Sequence, residues 1–258
     1  MAEYADIFPT VCVDAGYYKF PSPQYVDSLC QQVPQSFRFG FKVTDTITLK
    51  NYTNLPRFGS LAGKPNEHFL NAELFKTAFL SSFDKQQAKV GVFIFEFSHF
   101  YPKDFNHGRE FVEMLDQFFG QLPRGYSYAV EIRNKSLLQP EYFSMLASHG
   151  VAHLFNSWTK MPEMGEQMAM PGSFTADFSV ARLLLRPGRT YEEAVSSFSP
   201  YTALQDPNAG VREAAKRLIE KVKGTDKPSF VFVNMNDPSW HHYQTIGFPM
   251  SDQSCQPP

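Results

Sequence analysis

Short apolar runs alternate with amphipathic segments along the whole chain. Several of the runs are almost continuous stretches of aromatic and β-branched residues, as at residues 90–97, VGVFIFEF. Runs of this kind are typical of parallel strands that are covered on both faces. The pattern predicts strands at residues 11–14, 37–43, 90–97, 126–133, 151–155, 179–186 and 229–234.

The segments between these runs carry helix signals. Ser22 followed by Pro23 is typical of a helix N-cap and first helical position. Apolar residues recur at helical spacing in residues 111–118 and 211–222, and a further helix is expected to begin at Pro140. Strand and helix alternation predicts a parallel sheet, and at 258 residues it favours a TIM-type (β/α) barrel of the α/β class.

The predicted barrel is incomplete at its start. The full fold repeats the strand–helix unit eight times, whereas the pattern gives about seven strands. Residues 4–8 resemble the end of a helix that leads into the first strand, so the strand before that helix is missing. We therefore expect one barrel domain at residues 1–250, with an open seam between strands 11–14 and 229–234. Residues 251–258 are expected to form a disordered tail.

Two long loops are predicted, at residues 44–65 and 160–176. The second holds four methionines, Met161, Met164, Met168 and Met170. Long loops that follow barrel strands often act as lids over an active site. A lid and an insertion without a role are both consistent with the sequence.

The composition excludes several classes of protein. With 43% apolar and 19% charged residues, the chain is that of a globular protein. A net charge of -2 argues against a nucleic-acid partner, and no apolar run is long enough to span a membrane. Cys12, Cys30 and Cys255 form no redox or zinc motif, which favours a reducing, cytoplasmic compartment with Cys12 and Cys30 buried.

Motifs for cofactors and metals are absent from the sequence. The seven histidines show no HxH or HExxH spacing, and the chain has no glycine-rich nucleotide loop and no nucleophile elbow. We therefore predict neither a cofactor nor a metal site. The sequence gives no indication of the oligomeric state.

Five segments resemble, in order and spacing, the YecE-like family, also called domain of unknown function 72. They are residues 10–18 (TVCVDAGYY), 37–43 (FRFGFKV), 129–133 (AVEIR), 176–182 (ADFSVAR) and 230–234 (FVFVN). The resemblance implies a TIM-type barrel, an additional first strand with a Gly-Trp segment, and no established activity. The sequence departs from the family after Asn234, where Met235 replaces a second asparagine.

Charged and polar side chains stand at the ends of several predicted strands. Glu131 and Arg133 lie two positions apart in one strand, so they point to the same face. Barrel active sites form at the carboxyl ends of the strands. Arginines there would hold a carboxylate or a phosphate, and Glu131 or Glu96 would act as general base. The other candidate ligand-binding residues are Asp14, Lys42, Arg182 and Asn234.

Three interpretations of these charged and polar residues remain open. The protein is an enzyme of unknown reaction that acts on a small anionic or sugar-like molecule, or it is a non-catalytic protein that binds a metabolite or another protein. In the third interpretation the charges only pair with one another, because a buried unpaired charge is very costly. Trp158, which follows Asn156 and Ser157, would either stack on a sugar or only pack against its neighbours.

Overall fold

The computed structural model describes residues 1–184, 193, 209–233 and 244–248. Asn234 and Met235 lie outside the described residues, as do residues 251–258 with Cys255. The role of Asn234 as a site residue and the disordered tail therefore stay predictions.

Seven strands follow one another in a parallel sheet that curves into a nearly closed barrel. All seven strands predicted from the sequence are confirmed, with small differences at their ends. They are β1 (Thr10–Val13), β2 (Arg38–Lys42), β3 (Val90–Glu96), β4 (Tyr128–Glu131), β5 (Ala152–Asn156), β6 (Ser179–Leu183) and β7 (Ser229–Val233).

An eighth strand, β8 (Gln244–Phe248), was not predicted. It pairs with β7 in antiparallel orientation, with Gln244 opposite Val233 and Phe248 opposite Ser229, and it also lies beside β1. The expectation of an open seam between β1 and β7 is therefore wrong, because β8 occupies that position. Two polar residues and a glycine in five positions give this strand too weak an apolar pattern for prediction.

Helices surround the sheet. The side chain of Ser22 accepts a hydrogen bond from the Tyr25 N–H at 3.2 Å, which confirms the predicted N-cap. No helix in the described part of the chain is both long and apolar enough to cross a lipid bilayer. The α-helices are Ala2–Ala5, Ala15–Tyr18, Pro23–Cys30, Asp45–Thr48, Ala72–Leu74, Gly108–Gly120, Pro140–Ser148, Met164–Ala169 and Ala209–Val222. Shorter helical segments are the 3₁₀-helices Pro56–Leu61, Leu80–Lys89 and Lys135–Leu137 and the π-helical turn Phe75–Phe79.

The two segments predicted as loops are partly helical. Residues 44–65 contain Asp45–Thr48 and Pro56–Leu61. Residues 160–176 contain Met164–Ala169, which begins at a capping box formed by Glu163 and Glu166. Of the four methionines there, Met161 and Met164 are buried in the core, and Met168 and Met170 pack against it. These methionines therefore contribute to the core.

Aromatic rings fill the layer between the early strands and their helices. Phe93 of β3 contacts Phe41 of β2 and Phe83 with ring centroids 6.2 and 4.9 Å apart. The ring centroids of Phe75 and Phe95 are 5.2 Å apart, so the π-helical turn that begins at Phe75 packs against the same aromatic layer. This packing explains the high number of phenylalanines, 26 in the chain.

The interior of the barrel is narrow and apolar below its mouth. Among the described residues, its buried hydrophobic side chains include Cys12, Val92, Ile94, Ala129, Ala152, Leu154, Val180 and Phe232. Gly40 faces Phe232 so closely that a Cβ atom at Gly40 would lie 2.6 Å from Cζ of the ring. Lys42 lies two residues beyond Gly40 on the same face of β2, and strand parity thus places a charged layer directly above the apolar one.

Candidate functional site

The carboxyl ends of four strands meet in a cluster of charged side chains, which we call the mouth network. Strand register brings Glu96 of β3 opposite Glu131 of β4. Most of the side chains are buried, and Arg133 is the most accessible, with 15% of its side chain exposed. The members of the mouth network are Lys42, Glu96, Glu131, Arg133 and Arg182.

Glu96 is the centre of the mouth network. Its Oε2 accepts hydrogen bonds from Lys42 Nζ at 2.9 Å and Arg182 Nη1 at 2.7 Å, and its Oε1 lies 2.8 Å from Arg133 Nη2. Burial alone would raise the pKa of the Glu96 carboxyl, but Arg133, Lys42 and Arg182 together hold it well below its ordinary value. Glu96 is therefore ionised at neutral pH and is a weak proton acceptor.

Glu131 and Arg182 link the opposite side of the barrel to this centre. Arg182 Nη1 also donates to Glu131 Oε2, and Arg133 Nη2 lies 3.5 Å from Glu131 Oε1. Burial alone would lower the pKa of the Arg182 guanidinium, but Glu131 and Glu96 raise it well above its ordinary value. Arg182 is thus a permanent positive charge that joins β6 to β3 and β4.

The mouth network holds three cations and two carboxylates. A third carboxylate, Asp14, lies at its edge, with Oδ1 4.0 Å from Lys42 Nζ and 21% of its side chain exposed. In the described part of the chain, no group of three or more His, Cys, Asp or Glu side chains is arranged to hold a metal ion. The arrangement is chemically suited to an anion, because each network carboxylate is already engaged by cations.

Two aromatic rings lie against the cations. Arg133 Cζ is 4.0 Å from the centroid of the Trp158 ring, and Lys42 Nζ is 4.0 Å from that of Tyr17. Asn156 helps to position the backbone of Trp158, since its Oδ1 accepts a hydrogen bond from the Trp158 backbone N–H at 3.1 Å. Each partly buried contact of this type stabilises the fold by about 0.5–2 kcal/mol. One face of Trp158 is therefore covered by Arg133.

Tyr17 contributes a neutral hydroxyl beside the network. Burial raises the pKa of the Tyr17 phenol well above its ordinary value, and the charges of Glu96 and Asp45 act in the same direction, while a hydrogen bond with the Ser98 side chain opposes them. Asp45 is buried as well and pairs with Arg57, whose Nη1 lies 2.6 Å from its Oδ2. Tyr17 is therefore subject to the charges of both the mouth network and a second ion pair.

The structure brings together every predicted site residue that it describes. Asp14, Lys42, Glu96, Glu131, Arg133 and Arg182 converge at one end of the barrel, as the strand pattern predicted. Sequence reasoning missed Tyr17, Asp45 and Arg57. Tyr17 lies in a segment already noted for its family resemblance, but no charge or periodicity marked it as part of the site.

Comparison with known proteins identifies the family. Residues 1–245 match the family model described as "Protein of unknown function DUF72". A solved DUF72 family protein from Enterococcus faecalis V583 has 20% identity and a TM-score of 0.63, covering 92% of this chain and 87% of that chain. A second, from Thermotoga maritima MSB8, has 20% identity and a TM-score of 0.52, covering 88% and 78%. At such identities the likeness shows the fold alone.

A search among curated proteins finds no match to this chain. The resemblance found in five sequence segments is nevertheless confirmed, since the family model matches from residue 1 to residue 245. Because the family model matches almost the whole chain and the barrel fold agrees with it, the chain belongs to the DUF72 family, whose function is unknown.

Proposed function

We propose that the protein binds a small anionic ligand, a carboxylate or a phosphate ester, at the mouth network. The observation that supports this best is the excess of positive charge in the buried part of the cluster, where, among the described residues, Lys42, Arg133 and Arg182 face the two buried carboxylates Glu96 and Glu131. Asp14 offsets this excess only in part, because its carboxylate is partly exposed and lies 4.0 Å from Lys42 Nζ. A bound anion would supply the remaining counter-charge.

Arg133 is the residue that we expect to hold the anion. Its Nη2 is engaged by Glu96 and Glu131. Within the part of the chain that the structure describes, its buried Nε has no hydrogen-bond partner. An unsatisfied buried donor costs about 1–3 kcal/mol, and a carboxylate or phosphate oxygen would remove that cost. The planar guanidinium also matches the geometry of such oxygens.

A proton-transfer step on the bound ligand is the second candidate function. Glu96 is unsuited to it, because three cations keep its pKa low. Glu131 is the better candidate, since the contact of its Oε1 with Arg133 Nη2 is long, at 3.5 Å, whereas both oxygens of Glu96 lie within 3 Å of a cation. If the protein is an enzyme, Glu131→Gln should abolish turnover while leaving ligand affinity largely unchanged. If it is only a binder, the same substitution should change affinity alone.

Thermal unfolding in the presence of anions tests the binding proposal. Inorganic phosphate, citrate and glucose 6-phosphate are added in excess to the wild type and to Arg133→Met, which keeps the side-chain length and removes the charge. At ligand concentrations about 100 times Kd, mass action adds about 2.7 kcal/mol of stability, a Tm increase of roughly 5 °C or more.

The matched control is Arg109→Met, because Arg109 is exposed and pairs with Glu141 at the surface, 3.6 Å away. We expect the Tm increase in wild type and Arg109→Met, and its loss in Arg133→Met. Circular dichroism first checks that Arg133→Met is folded, and Arg133→Lys keeps the charge if it is not. An equal increase in both Arg133 variants and the wild type, or no increase with any anion, would overturn the proposal.

A further inference from the structure

We infer that the ligand is a sugar that carries an acidic group, a sugar phosphate or a sugar acid, and that its ring stacks on Tyr101. This inference rests on the proposed anion site at Arg133. It adds a specificity-determining residue that the strand pattern did not single out. The supporting observations are the exposure of Tyr101, the rigid attachment of its loop to Arg133, and the polar groups at the edge of the mouth.

The loop that carries Tyr101 is fastened to the backbone of Arg133. It follows β3 directly, and Asn134 binds Phe100 twice, accepting its N–H at 2.8 Å and donating to its carbonyl at 2.9 Å. The His99 ring forms a further hydrogen bond with the Arg133 carbonyl at 3.0 Å. The backbone that leads to Tyr101 is therefore tied to the chain beside Arg133 before any ligand binds.

The ring of Tyr101 is held but not covered. Its backbone N–H donates to the Asp104 carboxylate at 2.7 Å, and the His99 ring stands perpendicular to it with centroids 5.3 Å apart. The residue is nevertheless 59% exposed. An aromatic surface on a loop that is already held in place reduces the entropy lost on binding.

A second exposed aromatic ring at the mouth is less available. Tyr18 is 64% exposed in the segment after β1, but the Arg57 guanidinium lies over its ring at 5.1 Å. Arg57 is in turn bound to Asp45 at 2.6 Å. Tyr101 is thus the better stacking surface of the two.

The polar groups at the edge of the mouth indicate what kind of ring is bound. Arg133 provides a place for one acidic group. Asp14, partly exposed beside Lys42, would accept hydrogen bonds from hydroxyls and repel a second acid. One cation, one carboxylate acceptor and one flat apolar surface match the acid, the hydroxyls and the C–H face of a sugar.

Titration calorimetry with four probes tests this inference. The probes are inorganic phosphate, glucose 6-phosphate, glucuronate and adenosine monophosphate. In wild type, glucose 6-phosphate and glucuronate should bind about tenfold more tightly than inorganic phosphate. Tyr101→Ala should weaken the binding of these two probes, by about three- to tenfold, and leave that of inorganic phosphate unchanged. Tyr101→Phe keeps the ring and should bind as the wild type does. Tyr25→Ala is the control, because Tyr25 is 37% exposed on the outer helix Pro23–Cys30.

The outcomes separate this inference from the proposed function. Suppose that phosphate binding needs Arg133, but that glucose 6-phosphate and glucuronate still bind more tightly than phosphate to Tyr101→Ala, by the same factor as in the wild type. The inference is then wrong, while the proposed anion site stands. Tighter binding of adenosine monophosphate than of glucose 6-phosphate would also overturn it, by indicating a nucleobase surface. If Arg133→Met binds phosphate as the wild type does, the proposed function itself fails.

Discussion

Glu96, beside Glu131 at the barrel mouth, shows how the folded chain changes the properties of a carboxylate. Both carboxylates end neighbouring strands and lie opposite each other in register. Glu96 accepts from three cations and has a pKa well below its ordinary value. Its chemical role is to hold those cations in place, and an attached ligand would interact with the arginines that Glu96 orients.

His153 should make the stability of the protein depend on pH. It is buried on β5 among the rings of Tyr142, Phe143 and Phe155, with its Nδ1 3.3 Å from the Tyr142 hydroxyl. Burial lowers its pKa to about 4, while a hydrogen bond with Gln167 acts in the opposite direction. Histidine in an unfolded chain titrates near about 6.5, so the unfolded state binds more protons between these values.

The free energy of unfolding should therefore fall as the pH is lowered from about 6.5 to about 4, by about 3 kcal/mol from His153. Urea unfolding at pH 7 and at pH 4.5 measures this change in the free energy of unfolding, and His153→Gln is the comparison. The carboxylates contribute the same background in both proteins, and the variant should show the smaller loss. An equal loss in wild type and variant would contradict the burial of a neutral histidine.

Strand parity was sufficient to predict the charged residues of the mouth but not their neighbours. Lys42, Glu131 and Arg182 lie on strands, where side chains alternate between faces and the direction follows from position. Tyr17 and Asp45 lie just after strands, in short helical turns whose conformation depends on contacts across the fold. No periodicity in the sequence encodes those contacts.

The strands differ in how clearly the sequence marks them. β3 is an unbroken run of mostly apolar residues buried on both faces, and it was predicted almost to its ends. β8 is short, contains Gly247, and pairs antiparallel in an otherwise parallel sheet. Strand and helix alternation predicts only parallel neighbouring strands. It therefore could not predict an antiparallel strand between β7 and β1.

Gly40 of β2 is expected to be essential for the fit between β2 and β7. A Cβ atom at this position would lie 2.6 Å from Cζ of Phe232, which is itself buried. Because the ring is enclosed in the barrel, Gly40→Ala should lower the free energy of unfolding by about 1–3 kcal/mol in urea unfolding.

Gly120→Ala serves as the control, since the nearest atom to its Cβ would be His149 Cε1 at 3.8 Å. It should leave stability unchanged or raise it slightly, because alanine favours the helix that ends there. Combining Gly40→Ala with Phe232→Leu should recover part of the loss, which a double-mutant cycle detects. If Gly40→Ala is as stable as the wild type, the barrel interior is looser than the structure indicates.

The core is unequal around the barrel as a whole. The large cluster beside β1–β5 is rich in phenylalanine, including Phe75, Phe93 and Phe118. A smaller cluster beside β5–β7 is made mostly of aliphatic residues such as Val211 and Leu218. Larger buried rings remove more apolar surface from water, so the first cluster should be the more stable part.

Arg182 connects these two parts through the barrel interior, and its removal should weaken the second part first. Arg182→Met leaves Glu96 and Glu131 buried with one cation fewer, which should cost about 3–5 kcal/mol. Native-state hydrogen exchange should then show amides of β6 and β7 exchanging well before those of β2–β4, with a larger difference between the two halves than in the wild type. Lys216→Met is the control, since Lys216 is exposed and pairs only weakly with Glu220 at 3.9 Å in the same half of the barrel. Uniformly faster exchange in all strands of Arg182→Met would mean that the barrel unfolds as one unit whatever the state of its mouth.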